Sequence, residues 1–194
     1  MNEKADRRVM RTKRALHQAL MELILEKRYD KITIQDIIDR ANVGRSTFYA
    51  HFLDKEDLLV KGFAVFSNEL NDHLQTSAHE GEEGDHVLHS LIFFRHANVH
   101  HELYKAMLEG GGGDVLLEAA RAHLKEDIQN HLDRLLPQTI EAELPMPVIT
   151  SFLAGAMLSV LVWWLDAERP YSPEEINCMF QKLAMDGVRN LLNS

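Results

Sequence analysis

Cysteine is nearly absent: Cys178 is the only one in 194 residues. No disulfide can form within the chain, which fits a reducing cytoplasm. The opening MNEKADRRVMRTKR is basic but has no apolar stretch behind it, so no export signal is expected. Catalytic signatures are missing too. There is no G-x-S-x-G, no Cys/His motif around Cys178, and no glycine fingerprint in a strand-turn-helix setting, so no enzyme and no cofactor is expected. Gly110–Gly113 is followed by Asp114 rather than Lys-Ser/Thr, which excludes a phosphate-cradling loop. Alternation of strand type and internal repeats are also absent. The eleven histidines include His86 and His89 near Glu82 and Glu83, then His96, His100 and His101, but no H-E-x-x-H. No metal site is expected from them.

Charge is missing from one long stretch. Nothing ionised lies between Glu143 and Asp166, and Val148–Leu165 is mostly apolar, close to the roughly 20 residues that cross a bilayer. Pro145, Pro147, Thr150, Ser151, Gly155 and Ser159 dilute it, and basic anchors are lacking on its N-terminal side. A helix buried in a core and a subunit interface together is expected, not a membrane partner. The net charge of −9 conceals an asymmetry. Residues 1–62 carry 13 Lys+Arg against 10 Asp+Glu, whereas residues 63–194 carry 8 against 20. A mildly basic head on an acidic body suits a nucleic-acid reader whose body faces away from phosphate.

What is present reads as helix almost throughout. Thr12–Lys27 carries the stripe Leu16, Leu20, Leu23 and Ile24, preceded by a basic arm over residues 1–11 (Lys4, Arg7, Arg8, Arg11, continuing as Lys13 and Arg14) that reads either as a contact for phosphates or the minor groove or as a solvated tail. Thr33 with Asp36 opens a second helix, with Ile34, Ile37, Ile38 and Ala41 on one face. Asn42, tolerant of positive φ, makes a sharp turn. Gly44–Phe52 then buries Phe48 and Phe52, with Val43 also in the core, and leaves polar groups on other faces. That is a helix-turn-helix. A linking helix follows over Asp54–Thr76, then an acidic loop at Ser77–Asp85. Helices are expected at His86–Ala97, His101–Leu108, Val115–Leu136 (stopped by Pro137) and Pro147–Glu168 (stopped by Pro170). The four glycines read as a flexible joint, and Ser172-Pro173-Glu174-Glu175 opens a final helix. The fold class is all-α, divided into a reader domain at 1–53 and a helical domain at 54–194.

The run Ala41-Asn42-Val43-Gly44-Arg45-Ser46-Thr47-Phe48-Tyr49-Ala50-His51-Phe52, then Asp54-Lys55-Glu56-Asp57-Leu58, resembles the tetracycline-repressor (TetR) family of bacterial transcription regulators. The usual pattern is A-G-V-S-x-x-T-x-Y-x-H-F-x-x-K-x-x-L. Here Asn42 replaces the turn Gly and Gly44 replaces the Ser or Ala. The resemblance implies DNA contacts from Thr33, Gln35, Gly44, Arg45, Ser46, Thr47, Tyr49 and His51, and a phosphate-binding Lys55. Chemically, Arg45 suits guanine O6 and N7, while Tyr49 and Thr47 suit phosphate oxygens.

The resemblance also implies a small-molecule effector bound among the central helices. These supply Phe93, Phe94, Tyr104, Met107 and Leu117, and further on Leu124, Phe152, Met157, Trp163 and Trp164. The same residues at helical spacing would equally make an ordinary core. In the family the last two helices pair with those of a second subunit. Ser151, Gly155 and Ser159, spaced i, i+4, i+8, would admit a close partner helix, with Cys178 beside them. The expected protein is a cytoplasmic homodimeric regulator, a repressor released from a palindromic operator of double-stranded DNA by its effector. Activation on the same scaffold is an alternative, as is a membrane-associated or protein-recruiting adaptor that uses helix 147–168.

Overall fold

A computed structural model describes residues 3–63, 90–135 and 144–192. The linking helix beyond residue 63, the acidic loop, His86, His89 and the stop at Pro137 lie outside these residues. Among the described residues every regular element is helical. In chain order they are α1 (Glu3–Glu26), a 3-10 turn (Tyr29–Lys31), α2 (Ile34–Ala41), α3 (Arg45–Tyr49) and α4 (described at 55–63). Then come α5 (Ser90–Val99), α6 (His101–Glu109), α7 (Gly113–Leu135), α8 (Met146–Asp166) and α9 (Pro173–Leu192). Two compact units result: Met1–Phe66 with Glu102–Ala119, and Ser67–His101 with Ala120–Ser194.

The first unit is built on α1. Leu16, Leu20, Leu23 and Ile24 are buried with Ile37 and Ile38 of α2, Phe48, Phe52, and Leu58, Leu59 and Phe63 of α4. Each such side chain contributes about 1.5–3 kcal/mol of burial. The expected arm is not a separate segment, because α1 starts at Glu3. Neither proline nor glycine interrupts residues 1–27. Thr12 does not cap the helix: its hydroxyl donates to the Arg8 carbonyl, 3.0 Å away, inside it.

The four glycines also depart from expectation. Rather than a loose joint, they form a close-packed turn against the segment between α1 and α2. The Asp30 N–H donates to the Gly110 carbonyl at 3.0 Å, and Arg28 Nη1 donates to the Glu109 carbonyl at 3.2 Å. Gly111 has φ +82°, a left-handed conformation that favours glycine. A Cβ on Gly112 would stand 2.9 Å from the Tyr29 ring and 2.6 Å from Met107 Cε. Glycine serves close approach here, and mobility is not what the position requires.

The second unit packs α5, α8 and α9 around Phe94, Trp164 and Phe180, all buried. Phe94 meets Trp164 edge-on at 5.8 Å and Phe180 at 6.2 Å between ring centres. A polar chain crosses the α5–α9 contact. Gln181 Nε2 donates to Ser90 Oγ, which donates to Asn177 Oδ1, both at 2.6 Å. Ser172 and Glu175 form the expected cap of α9, since the Glu175 N–H reaches Ser172 Oγ and the Ser172 N–H reaches Glu175 Oε2. Burial, with His100 beside it, pulls His96 down to about 4.

Gly112→Ala is expected to destabilise the protein by about 1–3 kcal/mol, because the added methyl overpacks Tyr29 and Met107. A denaturation midpoint equal to wild type would show that the turn yields freely.

Candidate nucleic-acid interface

The reader is assembled by local chemistry that can be followed residue by residue. Thr33 and Asp36 cap α2 reciprocally: Asp36 N–H to Thr33 Oγ1 at 3.2 Å, Thr33 N–H to Asp36 Oδ2 at 2.7 Å. The Lys27 ammonium 2.7 Å away, together with the Thr33 donors, holds the Asp36 carboxyl far below its ordinary range. Asn42 ends α2 in the left-handed conformation (φ 52°, ψ 50°), and its N–H returns to Asp39 O. Gly44 then opens α3 with extended backbone, its carbonyl accepting from the N–H groups of Thr47 and Phe48. A Cβ at Gly44 would meet nothing nearer than 3.9 Å, so Ser or Ala, usual at this place in the family, would fit as well.

The recognition helix is short and pinned. Phe48 and Phe52 are buried with ring centres 5.9 Å apart, and Tyr49 stands edge-on to Phe48 at 5.4 Å. Tyr49 nevertheless leaves 48% of its surface exposed. Arg45 and Ser46 are exposed, Thr47 and His51 half-buried. The Arg45 guanidinium lies 5.9 Å from the Tyr49 ring centre, one turn along the same face. Arg45, Ser46 and Tyr49 thus share a solvent-facing surface carried by two buried aromatics. Val43 is half-buried rather than in the centre of the core.

Three expected contact residues already hold partners. Thr33 is bound into its cap, and Gln35 Nε2 donates to Asp39 Oδ1 at 2.8 Å. The largest departure is Lys55. Its ammonium turns into the head, donating to the carbonyls of Tyr29 at 2.8 Å and Ile32 at 3.0 Å, 4.4 Å from the Tyr29 ring centre. Carbonyls do not neutralise its charge, and they engage two of its three N–H groups. Tyr29 itself went unnoticed in the sequence, where an aromatic among Arg28, Asp30 and Lys31 reads as the end of a helix.

The expected effector residues divide between the units. Tyr104, Met107 and Leu117 fall in the first; Phe93, Phe94, Leu124, Met157 and Trp164 fall in the second. Phe152 and Trp163 cannot line an interior in this chain, since they are 57% and 51% exposed. They share the outer face of α8 with Val148, Ser151, Gly155 and Ser159. Among the described residues α8 is long and apolar enough to cross a membrane by length and composition, and half of it is buried in its unit.

Comparison with known proteins covers both regions. Residues 16–61 match the family described as bacterial regulatory proteins, tetR family, and residues 89–186 match a transcriptional regulator C-terminal region. An uncharacterized HTH-type transcriptional regulator, YxbF of Bacillus subtilis (strain 168), is 41% identical over 78 residues, 40% of this chain. The chain spans about a fifth of that curated relative's length, the match covering 20% of it. The TetR transcriptional regulator of Streptococcus agalactiae 2603V is 26% identical, with TM-score 0.59 over 93% of this chain and 97% of that one. The fatty acid degradation regulator FadR of Bacillus halodurans shares the fold at 17% identity, with TM-score 0.61 over 88% and 96% of the two chains.

Arg45→Ala is expected to relax base preference at one position per half-site by about 1–3 kcal/mol, read by competition among duplexes. Lys55→Ala should act twice: about 1–3 kcal/mol lost from the head's stability and a salt slope smaller by about one. If only the slope changed, the ammonium would not be anchoring the head.

Proposed function

Because the chain belongs to the tetR family of bacterial transcriptional regulators, we propose that it is a cytoplasmic homodimer that represses from a palindromic operator. A small-molecule effector in the helical domain releases it. The observation that carries this reading is the α3 surface: Arg45, Ser46 and Tyr49 exposed on a helix fixed by Phe48 and Phe52. Two such surfaces, related by a dimer axis, would enter successive major grooves. Residues 1–53 act as reader and residues 54–194 as the effector-binding and dimerising part. No catalytic step is involved.

The outer face of α8 supports the dimer. A Cβ on Gly155 would meet nothing within 4 Å, so this row of small residues is uncovered in the single chain. Phe152, Val148 and Trp163 flank it, with Met179 and Leu183 exposed on the neighbouring α9. An apolar surface of this kind on a helical protein favours a partner. The effector is expected among Phe93, Leu124, Met157 and their neighbours in the second unit, and it acts only through its differential affinity for the two states.

Selection from random duplexes with the purified protein is the first test. Recovery of an inverted repeat is expected; recovery of no preferred sequence from folded dimer would overturn the operator reading. Gly155→Trp should give a monomer of unchanged helicity by sedimentation and circular dichroism. A variant that stays dimeric would place the interface elsewhere.

A further inference from the structure

We infer that Gly44 is a specificity-determining residue: its missing side chain makes room for the C5-methyl group of a thymine where α3 enters the major groove. This rests on the reading of α3 as the DNA-reading helix and adds what the entry of that helix selects.

Nothing within the folded chain calls for glycine at this position. The backbone lies at φ −75° and ψ 152°, an extended conformation open to any residue. A Cβ would meet nothing nearer than Thr47 Oγ1 at 3.9 Å and Ser46 Oγ at 4.0 Å, which is ordinary contact. Other described glycines are explained by what surrounds them. A Cβ would run into the His17 ring at Gly62 and the Ala106 carbonyl at Gly110, and would crowd Tyr29 at Gly112. Gly111 holds a left-handed φ, and a Cβ on Gly113 would stand 3.3 Å from the Leu108 backbone. Only Gly44 and Gly155 among the described glycines would take a Cβ without crowding a neighbour. Gly155 lies on the face proposed for a second subunit, so a partner accounts for it.

Folding favours a side chain at 44. Gly44 is the N-cap of α3, and no side chain caps that helix. A Ser hydroxyl in the same place would accept from one of the first helical N–H groups, and Ser caps better than Gly. Glycine also loses more backbone freedom on folding than any other residue. A glycine that the fold neither needs nor favours, at the start of the reading helix, points to a close approach from outside the chain.

The chemistry of the space selects the occupant. The N-terminal residues of a reading helix are those that meet base edges. Gly44, Arg45 and Ser46 are all exposed. Arg45 is the one long side chain among them, and its guanidinium lies toward the Tyr49 ring one turn further along, away from Gly44. What Gly44 itself presents is space and Cα hydrogens, with no side-chain donor or acceptor. Thymine alone carries an apolar group on the major-groove edge, its C5-methyl; the other three bases present donors and acceptors that ask for a partner.

The test pairs a variant with a base analogue. Duplexes recovered by selection are remade with deoxyuridine in place of thymidine, one position per half-site at a time. Uracil keeps every donor and acceptor of thymine and lacks only the methyl. Affinities are read by fluorescence anisotropy at one salt concentration. For wild type, one position should lose about fourfold per half-site, the worth of one buried methyl group. Gly44→Ser should fold, since Ser is a preferred N-cap, and circular dichroism checks that it does. It should bind the thymine duplex about tenfold more weakly, because its Cβ crowds the methyl, and regain most of that loss on uracil. The thymine-to-uracil change therefore reverses sign between the two proteins. Gly44→Ala, which lacks the hydroxyl, should reverse it likewise. Wild-type affinity of Gly44→Ser for the thymine duplex overturns the inference. So does an equal loss on thymine and uracil at every position, which would assign the close approach to the sugar-phosphate backbone. Wild type that recovers no preferred sequence overturns the reading of α3 itself.

Discussion

The reader head depends on how Tyr29 is held. This ring is buried at the junction between α1 and α2, on a 3-10 turn whose Tyr29 carbonyl accepts from the Ile32 N–H and keeps a second lone pair free. The Lys55 ammonium, from the first turn of α4, donates to the carbonyls of Tyr29 and Ile32 and lies against the ring. Gly112 of the α6–α7 turn packs against the same ring so closely that an added Cβ would stand 2.9 Å from it. One side chain thus joins three parts of the chain that are far apart in sequence. Charge-assisted hydrogen bonds of this kind contribute about 1.5–3 kcal/mol, and the cation over the ring about 0.5–2 kcal/mol more. The arrangement carries a cost. The Tyr29 hydroxyl is buried without a hydrogen-bond partner among the described residues, and burial, with Glu56 and Asp54 nearby, pushes its phenol well above its ordinary value.

A division of labour among polar groups follows. Thr33, Asp36, Asp39, Gln35 and Arg40 are tied to one another or to α1. They hold α2 and its turn at a fixed angle, and what they grip is protein. The Glu26 carboxyl is drawn below its ordinary value by its bond to Arg40, which shows the same commitment from the acid side. Arg45, Ser46 and Tyr49 are left outside this network. A family motif mixes both kinds of residue at adjacent positions: Thr33, Gln35 and Lys55 hold protein partners, while Arg45, Ser46 and Tyr49 face solvent. Hydrogen bonding separates the two groups where sequence spacing cannot.

Much of the fold was legible because local rules decided it. The Thr33–Asp36 cap, the left-handed Asn42, the buried Phe48 and Phe52, and the Ser172–Glu175 cap are each set by residues within four positions of one another. The failures lie where distant residues decide. Four consecutive glycines signal mobility in isolation, and only the approach of Tyr29, some eighty positions earlier in the sequence, turns them into a packed contact. Lys55 follows the family pattern in sequence, yet its direction is set by carbonyls at 29 and 32. Phe152 and Trp163 read as interior because hydrophobicity alone does not say which face of an apolar helix is covered. The basic arm read as separate from the first helix because six cations stand in fourteen residues, whereas an unbroken run free of proline and glycine carries α1 through it.

The Tyr29 contact also bears on how a regulator of this kind can be switched. Residues 102–119 belong to the reader's compact unit, while the rest of α7, from residue 120, belongs to the other. An effector that changes DNA affinity a hundredfold must supply about 2.7 kcal/mol of coupling, from a typical range of 1–3 kcal/mol. A loose glycine joint would absorb a displacement of α7 without passing on that energy. A close-packed turn cannot, because the space beside Gly112 is filled by Tyr29 and Met107 so closely that it would not admit even a methyl group. Displacing it costs energy of the size the coupling requires. The Gly110–Gly113 turn is thus a stiff part of the reader's own unit, held by its packing against Tyr29, rather than a loose joint.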